Sequence, residues 1–153
     1  MASLLTLCLN WNIQSLPAKW TFFTEFLSEL SNRNFSFDVI ALQELWQLNE
    51  PELYSLPGYQ KFIYRTHANN VQGGGCGIFV KEGYKVNVLN DLSVFTDRVI
   101  ETQFIEVETR PGHWITVASV YRPNTHQILT ATEQIDQFLD TFENLLQSLA
   151  NQN

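Results

Sequence analysis

The ten residues Phe37-Asp38-Val39-Ile40-Ala41-Leu42-Gln43-Glu44-Leu45-Trp46 constrain this chain more than any other stretch. Val39 to Leu42 form a short apolar run without polar alternation, which predicts a strand buried on both faces. A strand of that kind needs a layer above it and a layer below it. Gln43 and Glu44 then end the run abruptly. In open α/β architectures ligands gather beyond the carboxyl ends of buried strands, so a carboxylate there is placed to hold a metal ion. Glu44 is the first candidate for chemistry. Taken alone, it is also an ordinary strand-end carboxylate stepping into solvent.

The flanking sequence supplies the other layers. Residues 4–12, Leu-Leu-Thr-Leu-Cys-Leu-Asn-Trp-Asn, predict an early central strand. Ser15, Leu16 and Pro17 open a helix, because serine caps orphan amides and proline is tolerated in the first turn. Trp20, Phe23, Phe26, Leu27 and Leu30 recur at helical spacing, and Asn32-Arg33-Asn34 closes the helix. Strands are predicted at residues 59–64, 78–80, 84–88, 99–107 and 114–121. Gly83 is read as the turn of a hairpin, and the glycines at 73, 74, 75 and 77 as a tight strand entry that other backbone approaches closely. Those glycines lack a following Gly-Lys-Ser/Thr, so they do not read as a phosphate-cradling loop. Thr130 and Glu133 form a capping box for a last helix, with an apolar stripe at Ile135, Phe138, Leu139, Phe142, Leu145, Leu146 and Leu149. This order predicts an α/β fold: a mixed β-sheet packed with helices outside.

The 153 residues, 44% of them hydrophobic, suffice for one core, and residues 1–153 are read as one partial domain. No apolar run approaches the roughly 18 residues that span a bilayer, which argues against a membrane partner. The first residues do not read as a signal peptide, so the expected location is intracellular, nuclear or cytoplasmic. Cys8 and Cys76 sit in apolar strand-like segments without companion ligands and read as buried free thiols. The formal net charge of −7 opposes a simple nucleic-acid binder, whose affinity comes from Lys and Arg on phosphates. Any such role would rest on a metal ion and a few positioned cations.

Three strand ends now present polar groups: Asn12, Glu44, and Tyr121 with Asn124. The segments Leu9-Asn10-Trp11-Asn12-Ile13, Ile40-Ala41-Leu42-Gln43-Glu44, Gly73-Gly74-Gly75-Cys76-Gly77-Ile78-Phe79-Val80 and Ser119-Val120-Tyr121-Arg122-Pro123-Asn124 together resemble the endonuclease/exonuclease/phosphatase superfamily. The glycine-rich strand and the Tyr-Arg-Pro-Asn turn look most like its branch in non-long-terminal-repeat (LINE-type) retrotransposons. The resemblance implies a Mg²⁺-dependent phosphodiesterase that nicks DNA, in about half of a four-layer α/β/β/α sandwich. It assigns Glu44 to the metal, a hard oxygen ligand suited to Mg²⁺. It makes Asn12 a phosphate-orienting residue, Tyr121 a phenol beside the scissile phosphate, and Asn124 a member of the matching turn. Arg122 could reach a substrate phosphate.

The bland readings are a turn or cap for Asn12, a rim aromatic for Tyr121 and a solvated charge for Arg122. His67 and His113 read as loop residues, and His126, beyond the turn that leads to the last helix, has no visible partner. Two departures weaken the site that the resemblance implies. Gln14 stands where some members carry a further acidic ligand. The Gly-Asp-x-Asn and Ser-Asp-His motifs of the family's second half, which prepare the water and contact the phosphate, do not occur in the chain. Mg²⁺ is therefore expected to bind weakly or not at all, and turnover by this chain alone is expected to be little or none. The alternatives are a non-catalytic retroelement remnant or binding module, and a phosphatase acting on lipid or small-molecule phosphates. A half-sandwich also predicts self-association through an exposed apolar face.

Overall fold

The computed structural model describes residues 7–66, 73–123 and 130–151. The elements in order are β1 (Cys8–Asn12), α1 (Leu16–Asn32), β2 (Val39–Gln43), a 3₁₀ turn (Pro51–Leu53), β3 (Ile63–Arg65), β4 (Cys76–Val80), β5 (Lys85–Val88), β6 (Phe95–Thr96), β7 (Ile100–Arg110), β8 (His113–Tyr121) and α2 (Ala131–Ala150). The strands divide between two sheets. The first is mixed, in the order β1-β2-β4-β3, with β1 parallel to β2 and the other neighbours antiparallel. The second is antiparallel: β5 and β6 pair with one edge of β7, and β8 with the other.

Side-chain alternation explains why two sheets form. Every residue of β2 and β4 is buried, as a strand covered on both faces requires. On the outer face Ile40, Leu42 and Phe79 pack beneath Leu16 and Phe23 of α1. On the inner face Val39, Ile78 and Val80 meet Ile105 and Val107 of β7. β7 in turn sends Ile100 and Phe104 outward, where Leu145 of α2 covers them. The layers run helix, sheet, sheet, helix. Both helices start where local chemistry directs. Ser15 Oγ accepts from the amide of Ala18, and Thr130 and Glu133 close a reciprocal capping box.

Several expectations are corrected. Among the described residues β1 lies at the edge of its sheet rather than at its centre, and Cys8 is exposed, whereas Cys76 is buried. Gly83 does not turn a hairpin: β4 and β5 lie in different sheets, because Val86 finds its apolar partners at Ile105 and Val107. The strand expected at 59–64 is shortened to β3, preceded by an isolated bridge from Tyr59 to Lys81. The apolar stripe of α2 is wider than its core contact. Phe138, Phe142, Leu145 and Leu149 pack, while Ile135, Leu139 and Leu146 stay exposed.

Gly77 makes room for an aromatic stack, in which Phe62 lies on Phe79 with ring centroids 4.1 Å apart. A Cβ at position 77 would stand 2.3 Å from the Phe62 ring. Gly77→Ala is expected to destabilise the chain by about 1–3 kcal/mol through overpacking, measured by urea denaturation. Loss of the cap in Thr130→Ala is expected to cost about 1 kcal/mol on the same measurement.

Candidate active site

β1 and β2 run parallel and end level, with Asn12 opposite Gln43, so the turns that follow them meet at one rim. There the peptide of Ile13 donates to Gln43 O (3.0 Å), Ser15 N to Glu44 O (2.9 Å) and Leu16 N to Leu45 O (3.0 Å). The start of α1 thus holds one side of the Glu44 turn. The glycine-rich entry to β4 holds the other: Leu45 N donates to Gly75 O (3.3 Å) and Trp46 N to Gly74 O (2.9 Å). The close approach expected of these glycines is met at Gly75. Its φ is +93°, and a Cβ would come within 3.0 Å of Leu45 Cβ. Four non-glycine residues of these two turns, Gln14, Ser15, Glu44 and Trp46, have positive φ. Backbone strain concentrated in this way is a recurrent mark of functional sites. The Trp46 Nε1–H is also buried without an acceptor among the described residues.

Asn12, Glu44 and Tyr121, proposed from three separate strand ends, come together. Asn12 Nδ2 donates to Glu44 Oε1 (3.1 Å), and Tyr121 Oη donates to the same oxygen (2.7 Å). One carboxylate oxygen is thereby taken up. Oε2 has no hydrogen-bond partner among the described residues and is left for a ligand. Burial, and then the hydrogen bond to Glu44, push the Tyr121 phenol well above its ordinary value. It therefore remains a protonated donor at neutral pH rather than a base. Arg122 is exposed beside the trio and shares no hydrogen bond with it among the described residues. His113 is the first residue of β8, at the end away from Tyr121. Asn124, His67 and His126 lie outside the described residues.

Beneath the rim is a polar layer that sequence reasoning did not identify as part of the site. Gln43 Nε2 donates both to Asn10 Oδ1 (2.7 Å) and to Ser119 Oγ (2.8 Å), and Ser119 Oγ donates to Leu42 O (2.8 Å). Glu101 is 1% exposed and stands opposite Tyr121 in the β7–β8 register. Its Oε2 accepts from the amide of Gly75 (2.6 Å). Through Gly75 it supports the turn that carries Glu44. Glu101 and Gln103 share the odd-numbered face of β7 with Ile105 and Val107, and that series is the signal that could have revealed an inner face turning polar toward one end. Cys76 donates to Glu101 O (3.4 Å), and burial raises its thiol to about 12, so it is no nucleophile.

The residues present fit a divalent cation only thinly. Mg²⁺ takes hard oxygens and is commonly held by one or two carboxylates and several waters. Glu44 Oε2 supplies one such oxygen. No group of three or more His, Cys, Asp and Glu side chains suited to a metal ion occurs among the described residues.

A family model described as the endonuclease/exonuclease/phosphatase family matches residues 9–151. The chain belongs to that family. The fold agrees. The crystal structure of AP endonuclease LMAP from Leishmania major superposes with a TM-score of 0.62 at 13% identity, over 92% of this chain and 46% of that one. The chain thus spans less than half of that structure's length. No curated protein matches the sequence. Among the described residues no helix is long and apolar enough to cross a membrane.

The raised phenol has a measurable consequence. A folded-state pKa above the ordinary 10.0 stabilises the fold fully below that pH and is lost as pH rises through the folded value. The wild-type chain is expected to lose stability above about pH 10 more steeply than Tyr121→Phe, which lacks the group. Urea midpoints measured from pH 8 to 11 check this.

Proposed function

We propose that this chain carries one half of a Mg²⁺-dependent phosphodiesterase domain of the DNA-nicking, retrotransposon type, and that it is inactive by itself. The observation that carries the reading is the convergence of Asn12, Glu44 and Tyr121 on one carboxylate oxygen. Glu44 would hold the ion through Oε2, with waters completing its shell, and the ion supplies charge neutralisation on a phosphoryl oxygen. Asn12 and Tyr121 fix the carboxylate's orientation beforehand, which is the usual work of hydrogen bonds behind a metal ligand. In a substrate complex either donor could turn to a phosphate oxygen, and Arg122, exposed beside them, supplies a cation for the next phosphate along DNA. Tyr121 stays protonated and cannot prepare a water. Glu44 is committed to the ion. Activation of the water has no owner among these residues, and that is the reason for expecting no turnover.

A second reading, a non-catalytic remnant or binding module of the same family, is favoured by the net charge of −7 and by the lack, among the described residues, of any group of three or more His, Cys, Asp and Glu side chains suited to a metal ion. A phosphatase of lipid or small-molecule phosphates remains the alternative within the enzyme class, since one metal-binding glutamate does not select among phosphoesters.

Calorimetric titration is expected to give Mg²⁺ binding at about millimolar strength, abolished in Glu44→Ala and retained in Arg122→Ala. Supercoiled plasmid incubated with the chain and Mg²⁺ is expected to remain intact. Mg²⁺ binding unchanged by Glu44→Ala would remove the assignment of the metal ligand. Nicking that depends on Glu44 would show the chain to be active alone.

A further inference from the structure

Glu101 is a buried carboxylate to which the proposed chemistry gives no role. It lies on the inner face of β7, 1% exposed. A carboxylate is costly to bury, and a glutamine suffices where only a polar partner is needed. β7 itself shows this two residues on, where the buried Gln103 donates to Ser93 Oγ (3.1 Å). Position 101 therefore asks for more than a filled hydrogen bond.

The contact it makes shows what that is. Glu101 Oε2 accepts from Gly75 N at 2.6 Å, and the same peptide group carries Gly74 O, which accepts from Trp46 N at 2.9 Å. One amide plane thus joins Glu101 to the backbone two residues beyond Glu44. A carboxylate at its N–H end polarises the peptide and strengthens the bond made by its carbonyl. The next carbonyl, Gly75 O, accepts from Leu45 N at 3.3 Å.

Both turns need such a hold. Gly73, Gly74 and Gly75 have φ of +110°, +68° and +93°, and glycine loses more conformational freedom on ordering than any other residue. Glu44 and Trp46, at +54° and +62°, occupy a region that side chains other than glycine adopt only under constraint. Neither turn is favoured by its own residues, so the bonds between them decide where the Glu44 side chain starts. Glu101 also faces Tyr121 across the β7–β8 register, on the same side of the sheet as the phenol that donates to Glu44 Oε1. It thus stands behind two of the groups that hold Glu44. We propose that Glu101 is a positioning residue for Glu44, acting through the Gly74-Gly75 peptide to lock the turn, so that a cation meets a carboxylate already in place. The consequence for cation binding rests on the reading of Glu44 as the metal ligand; the hold on the turn does not.

Glu101→Gln keeps the size and an acceptor and removes the charge. In hydrogen exchange followed by NMR on the metal-free chain, the amides of Gly75 and Trp46 are expected to exchange about fivefold faster in this variant. The amides of the β5–β7 pairing, at the other end of β7, should keep their rates. Mg²⁺ affinity in the calorimetric titration is expected to fall at least about threefold, since a mobile ligand must be ordered on binding. Glu101→Leu, which removes the acceptor as well, should exceed both effects; if it does not fold, the Gln variant decides alone. Unchanged exchange at Gly75 and Trp46 in Glu101→Gln overturns the proposal. So does a loss of protection shared equally by the β5–β7 amides, which marks general destabilisation, and so does faster exchange with Mg²⁺ affinity unaltered. Glu44→Ala separates this from the metal reading: Mg²⁺ binding that survives it removes the ligand assignment, while the exchange rates still report whether Glu101 holds the turn.

Discussion

The arrangement depends on the hydrogen bonds that Gln43 and Ser119 make between the sheets. Apolar contacts such as Val39 against Ile105 attract the sheets but do not fix how one slides over the other. Directional bonds do. A buried amide or hydroxyl left without a partner costs about 1–3 kcal/mol, so Ser119 must sit where both Gln43 and Leu42 O can be reached. That requirement sets the height of β8 against β2. Two residues on, it delivers Tyr121 Oη to within 2.7 Å of Glu44. The candidate site is therefore a consequence of the polar layer below it. The inter-sheet space passes from an apolar end, where the sheets adhere, to a polar end, where they are aligned.

What could be read from the sequence was what local chemistry decides. The unbroken run Val39 to Leu42 requires cover on both sides whatever supplies it, and the caps at Ser15 and Thr130 act within one turn of helix. Asn12, Glu44 and Tyr121 were legible as polar residues ending apolar strands. Their support was not. Asn10, Gln43, Ser119 and Glu101 matter because they face inward, and facing inward is defined only once a second sheet lies overhead. The same long-range choice misled the reading of Gly83, a turn suited to a hairpin, after which Val86 nonetheless joins the other sheet. Cys8 lies in an apolar run and is still exposed, because among the described residues β1 ends the strand order of its sheet and Cys8 is on the face opposite Leu9 and Trp11, which pack against the core.

Family membership and shared fold do not of themselves carry chemistry, and the rim shows where the difference lies. A preorganised carboxylate with one oxygen saturated is a good start for a cation, but one carboxylate attracts it weakly. Gln14 next to the same turn adds a strained backbone and no charge. The surrounding protein is acidic, so on the reading proposed above a polyanionic substrate would meet repulsion until a cation were bound. Metal and substrate would then depend on each other, the phosphate supplying the ligands that the protein lacks.

β1 is polar on the face where a core strand would be greasy. β1 buries apolar side chains only outward, through Leu9 and Trp11, and presents Asn10 and Asn12 inward. Hydrophobic attraction alone would make such an edge indifferent to its partner. The bond from Gln43 to Asn10 ties β1 into the same polar layer that aligns Tyr121 with Glu44, so the rim and the strand beside it share one set of directional contacts.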